Sequence, residues 1–88
     1  MFNKDVKIEK EKHSIVFFFD KGLKAVINYE LEKDADDYVI ERVKKSWENN
    51  EFLFSEVEFN ELVKINGEYV SEIDMRKVVA VDYNPFYV

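Results

Sequence analysis

Residues 14–31 read SIVFFFDKGLKAVINYEL, two apolar runs joined by Asp20-Lys21-Gly22. The first run, Ile15-Val16-Phe17-Phe18-Phe19, is unbroken. In the second, Leu23, Ala25, Ile27, Tyr29 and Leu31 alternate with Lys24, Asn28 and Glu30 over most of the length. Alternation marks a half-buried strand, and a short unbroken apolar run between turn residues marks a well-buried one. Gly22 can take the positive φ that a type I turn with a bulge requires, and Asp20 favours the turn start. The stretch predicts a β-hairpin that supplies most of the core. Three consecutive phenylalanines cannot share one face of a strand, so at least one of Phe17, Phe18 and Phe19 points away from the others. Phe18 is the candidate for an association surface.

Outward from the hairpin, Val6 and Ile8 alternate with Lys7 and Glu9. This predicts a short, charged edge strand near 4–11, or one continuous strand entering the hairpin through a bulge near Lys12-His13. On the other side the spacing predicts a helix over 35–49. Asp34 is the expected N-cap, with Asp36 and Asp37 in the first turn and Lys44 and Lys45 near the end, as the helix dipole favours. Val39, Val43 and Trp47 form its apolar stripe, Glu41 and Lys45 a favourably ordered pair, and Asn49-Asn50 its stop. Residues 51–57 read as a strand. The competing reading is a short helix from Ser55, whose Ser-x-x-Glu spacing to Glu58 is a capping box. Asn66-Gly67 predicts a tight turn into a strand at 68–70. Residues 71–74 suggest a single helical turn. Val78–Tyr83 reads as the last strand, ended by Pro85. The expected fold is α+β: an antiparallel twisted sheet of four to five strands with one main helix on one face. Residues 1–88 form one domain.

The chain has 88 residues, eight Phe, five Tyr, one Trp and no Cys. Large buried aromatics can furnish the core of so short a chain. Without cysteine there is neither a disulfide framework nor a thiolate metal site. No apolar run reaches the roughly 20 residues of a membrane helix, and the first residues lack a signal-peptide core. The expectation is a cytoplasmic protein that does not meet a membrane. Net charge is −6, and 11 acids crowd Glu30–Glu61 against Lys33, Arg42, Lys44 and Lys45. Nucleic-acid binding works by neutralising phosphates, so this balance argues against direct contact with nucleic acid. It suits a basic protein partner.

Catalytic motifs are absent from the sequence. His13 is the only histidine, with no serine, cysteine or second histidine arranged around it in sequence. Two glycines cannot write a phosphate loop or a dinucleotide fingerprint. Asp34-Ala35-Asp36-Asp37 lacks the glycine and the final glutamate of a calcium loop, and no cofactor or metal is expected. Asn84-Pro85-Phe86-Tyr87 matches a turn motif of four residues and reads as a chain-terminating turn. The reading is a non-enzymatic protein-binding module. Glu30, Glu32, Asp36, Asp37, Glu41 and Glu48 are its candidate contacts, standing in for phosphates in a partner's basic groove. Phe18, Phe86 and Tyr87 are candidate apolar anchors. The alternative is an assembly protein, a homodimer formed through an exposed sheet face or edge.

In build, the chain resembles the small early or accessory proteins of Gram-positive phages and mobile elements. The resemblance is carried by Lys/Glu/Asn/Ile-rich usage, the 14–31 hairpin, the single helix, and the ending LVKINGEYVSEIDMRKVVAVDY. It implies an inhibitor or regulator of a host protein, defence nucleases included. No shared functional motif transfers a site residue.

Overall fold

The computed structural model describes residues 9–84. The hairpin is its longest feature. Strand β1 (Lys10–Phe19) pairs antiparallel with β2 (Lys24–Glu32) in one unbroken register from Lys10 opposite Glu32 to Phe18 opposite Lys24. Of the expected strand near 4–11, Lys10 and Glu11 belong to β1, and residues 4–8 lie outside the described residues. The register passes Lys12-His13 without a bulge. The turn is a 3-10 turn, Asp20–Gly22, in which Lys21 (φ 65°) and Gly22 (φ 74°) are both left-handed. The expected type I turn with a bulge would make only Gly22 left-handed; here Lys21 is left-handed as well.

Helix α1 spans Tyr38–Glu48, starting later and ending one residue earlier than the expected 35–49. Its N-cap is Asp37, whose Oδ1 accepts the Ile40 N–H at 2.9 Å. Asp34 instead occupies a left-handed position (φ 66°) in the loop before the helix. Several acids in a row are all competent caps, and packing selects the one that can also meet the hairpin. The stop falls as read: Asn49 is the C-cap and Asn50 is left-handed (φ 54°). Val39, Val43 and Ser46 are the buried stripe. Trp47 lies at its flank, its Nε1–H donating to the Val78 carbonyl at 3.2 Å.

Phe52–Leu53 forms only a two-residue strand, β3. The chain then enters α2 (Ser55–Phe59), so the helical reading from Ser55 replaces a strand over 51–57. The Ser55–Glu58 capping box does not form: Phe54 is the N-cap, and Glu58 Oε2 accepts its N–H at 3.0 Å. The Ser55 hydroxyl turns instead to the Ser71 carbonyl at 3.2 Å, which ties α2 to the C-terminal region. Asn60 closes α2 in the left-handed conformation. The Asn66-Gly67 turn, both residues left-handed, joins β4 (Val63–Ile65) to β5 (Glu68–Val70). The helical turn expected at 71–74 is displaced. Ile73–Asp74 forms β6, paired with β3, and a 3-10 turn follows at Met75–Lys77, capped by Asp74. Strand β7 (Val78–Tyr83) is as expected.

Among the described residues the strands do not make one sheet of four or five. They form a three-stranded antiparallel sheet, ordered β2-β1-β7, and two separate two-stranded ladders, β3-β6 and β4-β5. Arms of two or three residues pair with each other and fold against the main sheet instead of extending it. Ile15, Phe17, Ala25, Ile27 and Tyr29 face the core, where Val39 and Val43 of α1 and Leu53, Val63, Ile73 and Met75 cover them. One α+β core results, to which α1 contributes Val39 and Val43. On the other face of the sheet lie Val16, Phe18, Val26 and Ala80. There Val16 is 4 % exposed, whereas Phe18 is 37 % exposed.

Candidate functional site

Two places gather chemistry that is distant in sequence. The first lies where β1, β2, α1 and the end of β7 meet. Tyr29, on the core face of β2, donates its hydroxyl to Asp37 Oδ2 at 2.6 Å. His13 stacks on the Tyr29 ring at 5.3 Å between centroids. Its Nδ1 lies 3.0 Å from Asn84 Oδ1 and 3.8 Å from Asp37 Oδ2. Asn84 Oδ1 also accepts the Ser14 N–H at 3.2 Å. That contact identifies the atom as the acceptor and places the imidazole proton on Nδ1. Burial first, and then the Asp37 carboxylate, hold the Tyr29 hydroxyl protonated well above the ordinary tyrosine range. Asp37 thus caps α1 and anchors the hairpin at once. A cleft of about 590 Å³ opens beside this cluster, lined by Lys12, His13, Asn28, Tyr29, Glu30 and Glu61. Among the described residues, no group of three or more His, Cys, Asp or Glu side chains is arranged to hold a metal ion. Read along the chain, His13 has no partner, because its contact with Asn84 spans 71 residues. Only the antiparallel pairing of β1 with β7 brings the two together.

The second place is built around the 3-10 turn at Met75–Lys77. Asp74 caps this turn by accepting the Arg76 N–H at 3.1 Å, and its two oxygens hold the guanidinium in a fork, each bond 2.9 Å. The same guanidinium keeps the Asp74 carboxyl below the usual carboxylate range. Fixed in this way, Arg76 lies 5.2 Å from the centroid of the Phe52 ring, and Phe54 stacks beside Phe52 at 6.3 Å. Phe52 is 39 % and Phe54 45 % exposed. Across a groove of about 670 Å³, Tyr69 is 69 % exposed beneath the Lys64 ammonium. A second groove, about 560 Å³, adjoins it along Arg76 and Lys77. Its apolar lining comes from Phe19, Leu23, Ile65, Ile73 and Val79. Periodicity does not reveal this face. The signal in the sequence is Phe52-Leu53-Phe54, two aromatics that share one side of an extended segment while the intervening Leu53 is fully buried.

The candidate acids are not gathered on one surface. On the open face of the sheet, Glu30 stands opposite Lys12 and Glu32 opposite Lys10. Asp37 is committed to Tyr29 and Ile40. Asp36, Glu41 and Glu48 are exposed before and along α1. Phe18 lies on the open sheet face, and Phe86 and Tyr87 fall outside the described residues. Among the described residues no helix is long and apolar enough to cross a membrane. No protein-family model, curated protein or solved structure matches the chain.

Proposed function

We propose that the chain is a small acidic, non-enzymatic protein-binding module, an inhibitor or regulator that docks through the face around Arg76. The observation that carries this reading is the exposed Phe54–Phe52–Arg76 stack, with Asp74 already fixing the guanidinium. Phenylalanine, tyrosine and arginine are the side chains in which interface centres are enriched. A preset side chain loses less freedom when a partner closes over it. The adjoining apolar groove at Leu23, Ile65 and Val79 offers a pocket for a partner's aliphatic or aromatic anchor. The net charge of −6 steers a basic partner at long range, whereas the aromatic face supplies the contact.

The test is parallel affinity capture with the wild-type chain, an F52S/F54S/R76A variant, and an E41Q/E48Q variant, each first shown to be folded by circular dichroism. The expected result is a protein retained by the wild type and lost with the first variant. Its retention by the E41Q/E48Q variant should fall only modestly. A partner held equally by the first variant and released by the second would move the site to the acids of α1 and refute this face.

A further inference from the structure

We propose that β7 is the contact by which two copies of this chain join, edge to edge, into a continuous six-stranded sheet. The surface concerned is the backbone edge of β7, not the side-chain face around Arg76. β7 lies at one end of the order β2-β1-β7. Its hydrogen-bonding phase is set by the Asn84 N–H, which donates to the Ser14 carbonyl at 2.6 Å. Alternate residues of an antiparallel strand face alternate neighbours. Asp82, opposite Val16, and Ala80, opposite Phe18, therefore turn their backbone groups toward β1. Val81 and Tyr83 direct theirs outward, where no strand is paired with them among the described residues. At the other end of β7, Trp47 occupies the Val78 carbonyl and the register shifts at Phe18/Phe19. The free run is thus Val79 to Tyr83.

Exposed edges are normally guarded by lysine, proline or charge. The opposite edge strand, β2, carries Lys24, Glu30 and Glu32. β7 reads Val-Val-Ala-Val-Asp-Tyr, with one charge. That charge selects the register. A two-fold axis through Val81 places Val81 opposite its copy, Val79 opposite Tyr83 twice, and Asp82 opposite Ala80 twice. All the outward amides and carbonyls of Val81 and Tyr83 then find partners, and no like charges meet. An axis through Asp82 would set two carboxylates against each other. The self-complementary arrangement closes after two copies, as a two-fold contact must.

The register gives a charge test on an exposed residue of the open face. Ala80→Asp would place two carboxylate pairs across the axis, and Ala80→Lys two ion pairs with Asp82. Sedimentation equilibrium on the full chain should show a monomer–dimer equilibrium that Ala80→Asp weakens and Ala80→Lys strengthens. Each shift in Kd should be on the order of tenfold, the summed effect of two cross-strand pairs. Hydrogen exchange on the wild type should show the Val81 and Tyr83 amides slowing as concentration rises. A wild type that stays monomeric at several hundred micromolar, as it would if the edge received a foreign strand instead, overturns the proposal. So does a dimer in which those two amides exchange unchanged, as in a face-to-face dimer through Phe18, or a dimer that responds alike to both substitutions.

Discussion

Replacing Asp37 with alanine should be among the most destabilising changes of an incompletely buried residue in this protein. Two losses combine. Oδ1 no longer accepts the Ile40 N–H at the start of α1, and loss of an N-cap costs about 1 kcal/mol. Oδ2 no longer accepts the Tyr29 hydroxyl at 2.6 Å. Tyr29 is only 8 % exposed, and a buried hydroxyl left without a partner costs about 1–3 kcal/mol. The sum is about 2–4 kcal/mol, a large part of the stability expected of so small a domain. Urea denaturation measures it. Asp36→Ala, at an exposed position one residue earlier, should change stability by less than about 0.5 kcal/mol. Tyr29→Phe in the Asp37→Ala background should recover part of the loss, because phenylalanine leaves no orphan hydroxyl. The resulting coupling should be about 1–2 kcal/mol. An Asp37→Ala cost below about 1 kcal/mol, or additive effects of the two substitutions, would refute the view that one carboxylate joins helix to hairpin.

Phe17 and Phe18 are adjacent and should respond oppositely. Phe17 is fully buried, so Phe17→Ala should cost about 3–5 kcal/mol by thermal or urea melting; Phe18→Gln, on the open face, should cost about 1 kcal/mol or less and leave the circular dichroism spectrum intact. Stability should fall at alkaline pH. Burial raises the Tyr29 pKa above its ordinary 10.0, so the folded state favours the protonated hydroxyl. That contribution is complete below about pH 10 and is lost as pH rises further. Ultraviolet titration should show Tyr29 ionising only with unfolding, and Tyr29→Phe should flatten the alkaline fall in stability.

The hairpin, the helix, the Asn66-Gly67 turn and the last strand were all legible in the order of residues. Each rests on an interaction within a few positions: alternation over two residues, an apolar stripe over three or four, or a turn residue able to take positive φ. Sequence alone likewise required that one of the three phenylalanines leave the core, since strand geometry permits nothing else. It pointed to Asp34 as the cap, and wrongly, because Asp34, Asp36 and Asp37 are locally equivalent acids and the structure uses Asp37. Only the approach of Tyr29 across the loop makes Asp37 the one that serves two elements. The sequence could not decide that Phe52–Leu53 stops after two residues to pair with Ile73–Asp74, that β1 lies between β2 and β7, or that His13 meets Asn84. Those outcomes depend on which apolar surfaces find cover in three dimensions, and hence on contacts between residues far apart along the chain. Among the described residues, the same tertiary pairing leaves one edge of β7 without a neighbouring strand and places Arg76 over Phe52. The two surfaces proposed for binding therefore differ in legibility: β7 could be read as a strand from its own residues, whereas the elements around Arg76, expected as a strand over 51–57 and a helical turn at 71–74, took their form from packing.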